Sequence, residues 1–517
     1  MQGQLRGSDE PVDRRRRSFA AIFSLTALVF GLAGPSCATP PEPQRARNVI
    51  LFIGDGFGMN QLALGLAYAS EVRGRPLRMA ELADAGSAGY SIPYSYARIT
   101  TDSAAAATQM ATGRRALTET LSVDPETAEP LPTILEWAEE RGLATGLVAN
   151  MRLTHATPAA FKVHAKSRYV PEAELADQLF SEPEVEVLLG GGGRAMIPAG
   201  TNLGESVPGL PAGTDGPSNR DDDRNLIAEA RERGYTVVGD RAGLAAARGT
   251  ERLAGIFAAS HLPYVLDRSW DGLDDTVPTL AELTDAAIAS LEGNEAGFFL
   301  VVEGGLIDYA GHDNDAGAML AEILDYDEAI GAAFDFARNR DDTLVLVTAD
   351  HGTGGFSFTY GPGGPGPLPE TVFPDYSAGP EMAGARHLEM LAAQRRSLIE
   401  AMPDIASPAT AESVLAVIEE ATGIRLTDEE AADLASQLNE ENVAPRDFSA
   451  YYLDSVSIPV ALAARQLANH TQVVWSTGGH TSEPVLLLGY GPGAGGVLGI
   501  GENTRVHGII RDAFGWE

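Results

Sequence analysis

Short apolar runs alternate along the chain with longer stretches whose apolar positions recur at helical spacing. The apolar runs, which predict buried strands, are Asn48–Ile53, Leu147–Ala149, Glu186–Leu189, Phe298–Val302, Leu344–Val347 and Val485–Leu488. The helix-like stretches include Leu131–Arg141, Asn225–Arg233 and Ala318–Phe336. This alternation predicts an α/β fold built on a doubly wound, mostly parallel sheet flanked by helices. In such sheets, functional groups gather at the carboxyl ends of the strands.

The pattern changes near the C-terminal third, where a Gly/Pro-rich loop leads into helical sequence. Ser407-Pro408 predicts a helix N-cap and first helical residue, and Thr427 with Glu430 predicts a capping box. We interpret this region as a helical insertion between two parts of the main domain. The predicted division is a signal segment over 1–38, a catalytic domain over 48–355 and 474–517, and an inserted helical subdomain over 356–473.

The N-terminus has the composition of an export signal. Arg14–Arg17 precede an apolar stretch over Phe19–Gly34 that is short for a membrane span, although a membrane anchor stays open. Arg16–Phe19 also resembles a twin-arginine signal. Cys37, the single cysteine, is either a lipid-attachment site or part of a small-residue cleavage site. We therefore expect a periplasmic or extracellular protein, with lipid anchoring at Cys37 as the alternative to a cleaved leader.

The formal net charge of −35 limits what the protein can bind. A surface this acidic argues against binding to the phosphate backbone of DNA or RNA, because such binding requires clustered cations. It also repels anionic small molecules at long range. A site for an anion must therefore carry its own local positive charge, from metal ions, arginines or helix N-termini.

The segment TTDSAAAAT over 100–108 carries the first candidate for chemistry. Thr101 or Asp102 is a good N-cap, and the alanines that follow favour a helix. Ser103 would then lie at a helix N-terminus, where free N–H groups and the helix dipole favour a phosphate group. Taken alone, the segment is better explained as an ordinary capped helix, so a catalytic interpretation depends on the residues that accompany it.

Carboxylates and imidazoles follow several of the predicted strands. These residues are Asp55 after the first strand, Glu303, Asp308 and His312 at and after Phe298–Val302, Asp350 and His351 after Leu344–Val347, and His480 before Val485. Mixed carboxylate and imidazole ligands suit zinc, and an oxygen-only set suits magnesium. Each residue alone could be a cap or a buried polar group. Because they recur at separate strand ends, we interpret them as metal sites.

Together these motifs resemble the signature segments of alkaline phosphatases, in the order of that family. The segments are GDGFG (54–58), TTDSAAAAT (100–108), THATPAAFKVHAKSR (154–168), FFLVVEGGLIDYAGHDNDA (298–316), TLVLVTADHGTGG (343–355) and WSTGGHTSEPV (475–485). The resemblance implies hydrolysis of small-molecule phosphate monoesters through a phosphoserine on Ser103. It also implies two zinc ions and one magnesium ion, and it allows a homodimer, which the family often forms.

The resemblance further implies a role for individual residues. The implied ligands are Asp308, His312 and His480 for the first zinc, Asp55, Asp350 and His351 for the second zinc, and Asp55, Thr157 and Glu303 for magnesium. Ser103 would complete the shell of the second zinc, and Arg168 would bind two phosphate oxygens.

Two positions on the substrate side depart from the best-known bacterial members of the family. His155 replaces an aspartate, which implies a third metal site that depends more on added magnesium or accepts zinc. Tyr309 replaces a lysine or histidine that acts on phosphate through water, so phosphate affinity and product release are open. The remaining histidines belong to no motif and receive no role: His164, His261, His387, His470 and His507.

Other functions compete with monoester hydrolysis. A sulfatase needs a C/S-x-P-x-R setting, whereas Ser103 is followed by alanines. Related phosphodiesterases usually carry a threonine nucleophile and lack this three-metal set. A non-catalytic phosphate- or metal-binding surface protein would have no need for the serine. The sequence therefore favours the monoesterase and leaves the physiological ester open.

Overall fold

A computed structural model gives the structure of the protein and describes residues 45–182, 184–361, 381–440 and 457–516. The predicted signal segment and Cys37 lie outside the described residues. None of the helices in the described ranges has the length and apolar character needed to cross a membrane.

The strands follow one another in chain order as β1 Asn48–Gly54, β2 Ser87–Ile92, β3 Ala144–Arg152, β4 Val187–Gly191, β5 Thr236–Val238, β6 Leu253–Ile256, β7 Phe298–Gly304, β8 Thr343–Ala349, β9 Gly352–Thr353, β10 Ser357–Phe358, β11 Tyr360–Gly361, β12 Glu381–Met382, β13 Val473–Val474, β14 His480–Thr481, β15 Val485–Tyr490 and β16 Gly499–Glu502.

The helices are α1 Met59–Tyr68, α2 Arg78–Ala85, α3 Ser103–Thr112, α4 Ile134–Glu140, α5 Ala156–Ala160, α6 Glu172–Leu179, α7 Leu203–Ser206, α8 Leu226–Glu232, α9 Arg241–Ala247, α10 Val265–Trp270, α11 Leu280–Leu291, α12 Leu306–His312, α13 Ala316–Ala337, α14 Ala385–Ala392, α15 Leu398–Ala401, α16 Ala411–Thr422, α17 Asp428–Leu438, α18 Ser457–Thr471 and α19 Arg505–Phe514.

One ten-stranded sheet organises the chain, in the order β16-β2-β15-β8-β1-β7-β3-β4-β6-β5. All neighbouring pairs in it are parallel except those that β15 makes with β8 and β2. The predicted α/β class with a mostly parallel sheet is therefore confirmed.

Alternate residues of β1 enter two separate hydrophobic cores, one on each face of the sheet. Ile50 and Phe52 belong to one core, and Val49, Leu51 and Ile53 belong to the other. Since side chains alternate between the two faces of a strand, helices cover both faces and β1 is buried along its whole length. This is the doubly wound arrangement that the uninterrupted apolar run predicts.

The helical region near the C-terminal third has a hydrophobic cluster of its own, which includes Val414, Ile418 and Leu434. The predicted capping box of Thr427 and Glu430 is confirmed at the start of α17. The helix start predicted at Ser407-Pro408 is wrong. Thr410 caps α16 instead, because its hydroxyl accepts a hydrogen bond from the N–H of Ser413 at 3.1 Å.

Candidate active site

Three neighbouring strands bring carboxylates to one edge of the sheet. In the register of β1 with its neighbours, Ile53 lies opposite Glu303 of β7 and opposite Thr348 of β8. Asp55 and Asp350, each directly after its strand, therefore reach the same edge as Glu303. All three carboxylates are fully buried.

Gly56 makes this close approach sterically possible. Its φ of +71° is in the left-handed region, and a Cβ there would lie 2.6 Å from the Cα of Asp308. A side chain at this position would therefore push Asp308 away from Asp55.

β15 brings a histidine to the same edge because it runs antiparallel to β8. The beginning of an antiparallel strand lies where its parallel neighbours end. The preceding β14 pairs with β9, which places His480 opposite Thr353. The rings of His480 and His351 consequently stack, with centroids 3.6 Å apart.

Ser103 begins α3 and faces this cluster. Asp102 is the N-cap, accepting a hydrogen bond from the N–H of Ala105 at 3.1 Å. The Oγ of Ser103 lies 3.5 Å from Oδ1 of Asp55 and 3.4 Å from Nε2 of His351. The structure thus places a buried hydroxyl at a helix N-terminus and beside the cluster, as the sequence predicts for this serine.

Carboxylate and imidazole atoms converge in three groups that could each hold a metal ion. Among the described residues the groups are Asp308, His312 and His480; Asp55, His155 and Glu303; and Asp55, Asp308 and His351. Within each group the donor atoms all lie within 4.8 Å of one another. Asp350 adjoins the third group, its Oδ2 lying 3.0 Å from Nε2 of His351.

The three clustered histidines are oriented through Nδ1, which leaves Nε2 facing the cluster. Nδ1 of His480 lies 2.9 Å from the carbonyl oxygen of Thr101, and Nδ1 of His312 contacts the carbonyl oxygen of Gly478. Nδ1 of His351 lies 3.3 Å from Oγ1 of Thr353. Contacts of this kind fix the tautomer and ring orientation of metal-binding histidines.

Several buried polar atoms of the cluster lack hydrogen-bond partners within the described part of the chain. They are Oδ2 of Asp55, Oδ2 of Asp350, both carboxylate oxygens of Glu303 and Oγ1 of Thr157. Buried polar groups are rarely left unsatisfied. Because oxygen and imidazole donors are the ligands of zinc and magnesium, the residues present fit bound divalent cations.

The electrostatics of the buried carboxylates also favour bound cations. Burial, and next the charge of Asp350, raises the pKa of Asp55 well above its usual range, and burial raises that of Glu303 to about 8. Burial lowers the pKa of His480 to about 3, with a further contribution from His351. Bound cations would offset the mutual repulsion of these carboxylates and favour their ionised forms.

Arg168 lies beside the serine helix. Its Nη2 is 2.8 Å from Nε2 of His155, and its Nη1 is 3.7 Å from Oδ2 of Asp102. The ring of Tyr309 packs against that of His155, with centroids 5.9 Å apart. Burial, and next the charge of Arg168, holds the pKa of His155 well below its usual range. The neutral ring can therefore accept a hydrogen bond from the guanidinium.

Three residues of the site were not assigned these roles from the sequence. Thr353 donates a short hydrogen bond to Oδ1 of Asp308 and contacts His351. Asp102 reaches Arg168 in addition to capping α3. His261 packs against Tyr309 and His155, with ring centroids 4.8 Å and 5.7 Å apart. Thr353 could have been found because it follows His351 by two positions; His261 has no sequence signal of this kind.

A doubly wound sheet with a serine and clustered metal-binding side chains at its carboxyl edge defines a metal-dependent hydrolase. Residues 46–515 match the model of the family described as alkaline phosphatase. The chain is 33% identical to alkaline phosphatase 3 of Bacillus subtilis, over 89% of this chain and 87% of the relative. Alkaline phosphatase 4 of the same organism is 30% identical, over 95% of each chain. The crystal structure of Thermus thermophilus alkaline phosphatase superposes with a TM-score of 0.76 and 30% identity, covering 95% of this chain and 96% of that one. The protein belongs to the alkaline phosphatase family and is a phosphatase.

Proposed function

We propose that the protein hydrolyses phosphate monoesters to an alcohol and inorganic phosphate through a phosphoserine on Ser103, with two zinc ions and one magnesium ion. The observation that carries this proposal is the position of the Ser103 hydroxyl. It lies at the N-terminus of α3 and within 3.5 Å of both Asp55 and His351.

The proposed metal ligands are those that the family resemblance implies, and each set shares at least two residues with one of the three groups of converging donors. Asp308, His312 and His480 would hold the first zinc, and Asp55, Asp350 and His351 the second. Asp55, Thr157 and Glu303 would hold magnesium, with His155 beside it. When bound, these ions lower the pKa of a nearby hydroxyl or water and stabilise negative charge on the entering and leaving oxygens.

The side chains and helix terminus supply the remaining steps. The hydroxyl of Ser103 gives up its proton to solvent and its Oγ attacks phosphorus, so that an O–P bond forms as the bond to the alcohol oxygen breaks. The alcohol takes up a proton and leaves. Water then attacks the phosphoserine, which releases phosphate and restores the hydroxyl. Free N–H groups of α3 and the guanidinium of Arg168 stabilise charge on the non-bridging oxygens.

His155 and Tyr309 form the substrate side of the proposed site. The contact between His155 and Arg168 restricts the guanidinium, which favours the bidentate geometry that phosphate requires. Tyr309 offers a neutral hydroxyl at the position where other members of the family have a lysine or a histidine. We infer that Tyr309 contributes less charge to phosphate binding and permits easier release of the product.

Replacing the nucleophile tests this function. In zinc- and magnesium-loaded protein, Ser103→Ala should lower kcat toward p-nitrophenyl phosphate by at least about 10³-fold. The exposed Ser181→Ala serves as the matched control and should retain activity. Unchanged activity in Ser103→Ala would contradict the proposal. Faster hydrolysis of bis(p-nitrophenyl) phosphate or p-nitrophenyl sulfate by the unmodified protein would instead indicate a diesterase or a sulfatase.

We further propose that residues 356–473 form an inserted subdomain and that the protein is exported, with Cys37 either lipidated or removed with the leader. The separate hydrophobic cluster supports the first proposal for the part between residues 398 and 467, whereas Leu388 and Leu391 pack in the core of the main domain. The basic and apolar pattern of the N-terminus supports the second. The mass of the N-terminal peptide of protein purified from the native host would distinguish a cleaved leader from a lipidated Cys37.

A further inference from the structure

An arginine cluster lies next to the candidate active site, in a chain whose net charge is −35. Arg152 ends β3, and Arg194 lies in the turn after β4. Both guanidinium groups share the carboxylate of Glu172, at 3.3 Å from Nε of Arg152 and 2.8 Å from Nε of Arg194. Within the described residues, Glu172 forms ion pairs with Arg152 and Arg194. The cluster therefore has two positive charges and one negative charge.

A chain of contacts joins this cluster to the phosphate side of the site. The backbone N–H of Arg152 donates to Nδ1 of His261 at 3.3 Å. The ring of His261 packs on Tyr309 and His155, and His155 accepts from Arg168 at 2.8 Å. The arginine cluster and Arg168, the proposed phosphate-binding arginine, are therefore both in contact with the packed rings of His261, Tyr309 and His155.

The cluster retains capacity to bind an anion. The contact between Nε of Arg152 and Glu172 is an ion pair without hydrogen-bond geometry, and the oxygens of Glu172 also accept hydrogen bonds from Thr154 and Asn219. Glu172 therefore neutralises the two guanidinium groups only in part. The side chains of Arg152 and Arg194 are 23% and 32% exposed, so solutes can reach them.

His261 adds a neutral donor to these packed rings. Since Nδ1 accepts the N–H of Arg152, the proton of the neutral ring is on Nε2, which is then a donor.

We propose that Arg152, Arg194 and His261 form a second anion subsite, which selects phosphate monoesters whose alcohol carries another anionic group. The proposal rests on the proposed monoesterase function and specifies its substrate class. A local pair of guanidinium groups offsets the repulsion that the acidic protein exerts on esters with two anionic groups. A carboxylate or a second phosphate has the bidentate geometry that guanidinium groups recognise.

Matched ester pairs test the subsite in metal-loaded protein. The carboxylate arm compares 3-phosphoglycerate with glycerol 3-phosphate, and the phosphate arm compares fructose 1,6-bisphosphate with fructose 6-phosphate. In Arg152→Gln and Arg194→Gln, kcat/KM for the ester with two anionic groups should fall about 10-fold, the effect of one charge-assisted contact. For the partner ester, whose only anionic group is the phosphate that is hydrolysed, kcat/KM should change less than about 2-fold. The arm that responds identifies the second group as carboxylate or phosphate.

Arg248→Gln is the matched control, because Arg248 is an exposed arginine paired with Asp285. It should leave both esters unchanged. Arg194→Gln decides the result if circular dichroism shows that Arg152→Gln is misfolded, since Arg194 is the more exposed of the two. Equal losses for both members of a pair, or no loss in either arm, would overturn the subsite. If the unmodified protein hydrolysed none of the esters, the monoesterase function itself would be wrong.

Discussion

At the scale of single residues, the site depends on how each imidazole uses its two nitrogens. His312 and His480 direct Nδ1 to carbonyl oxygens, and His351 directs Nδ1 to the hydroxyl of Thr353. Nε2 of each ring is thereby left for the cluster. Thr353 also donates to Asp308, so one hydroxyl orients a carboxylate and an imidazole of two proposed zinc sites.

Thr353→Val should therefore weaken metal binding. Removing the hydroxyl frees Asp308 and His351 to rotate, and losing such an outer contact typically costs about 10- to 100-fold in metal affinity. Thr353→Ser keeps the hydroxyl and should lose much less. Competition with a chromogenic zinc chelator measures both affinities. Equal zinc affinity in Thr353→Val and the unmodified protein would contradict this role.

At the scale of elements, strand direction assembles the site. β1, β7 and β8 end at one edge with Asp55, Glu303 and Asp350. His480 reaches the same edge in β14, which precedes the antiparallel strand β15 and pairs with β9. α3 supplies Ser103 at its first residue. Residues that are distant in sequence thus meet at one edge without any long loop having to place them.

Helix α16 gives a test at this scale. Thr410→Ala should reduce the free energy of unfolding by about 1 kcal/mol, because the N–H of Ser413 loses its capping acceptor. Ser407→Ala should have almost no effect, since Ser407 precedes the cap and is exposed. Urea denaturation measures both changes. A larger loss in Ser407→Ala than in Thr410→Ala would show that the helix begins earlier.

Sequence patterns predicted the elements whose signal is local. The buried strands β1, β7 and β8 are evident as apolar runs, and Thr427 with Glu430 marks a helix start by its own chemistry. β2 (SAGYSI) lacks an apolar run because it pairs near the edge of the sheet and is partly exposed. The antiparallel direction of β15 and the packing of His261 on Tyr309 depend on tertiary contacts, which spacing along the chain does not encode.

At the scale of the whole molecule, excess negative charge is both a surface and an interior property. The net charge is −35, and Asp55, Glu303, Asp308 and Asp350 lie fully or almost fully buried at one sheet edge. Other acids are buried away from the site. Glu139, on α4, is partly buried next to Glu186, and burial followed by the charge of Glu186 raises its pKa from 4.5 to about 8.

This pKa predicts how stability depends on pH. Above pH 4.5 the carboxyl of the unfolded chain ionises, whereas folded Glu139 keeps its proton until about pH 8. The folded state then binds more protons, so the free energy of unfolding falls as pH rises through this window. Glu139→Gln still accepts the hydrogen bond from Thr145 and should be more stable at pH 8 by about 1–2 kcal/mol.

Denaturation of Glu139→Gln and of the exposed control Glu140→Gln at pH 5 and pH 8 measures this effect. The gain of Glu139→Gln should be larger at pH 8 than at pH 5, and Glu140→Gln should show little difference. A gain that does not depend on pH would contradict the raised pKa of Glu139.

The most direct measurement of the central claim is to trap the phosphoryl group on the enzyme. Metal-loaded protein is mixed with excess p-nitrophenyl phosphate, quenched in acid, digested and analysed by tandem mass spectrometry. We predict that Ser103 is the single phosphorylated residue, and that the phosphorylation is absent in Ser103→Ala and present in Ser181→Ala. Nucleophilic attack by Ser103 would be contradicted if the protein hydrolysed p-nitrophenyl phosphate while the phosphoryl group was found on another residue. Hydrolysis with no phosphorylated residue under any quench condition would contradict it as well.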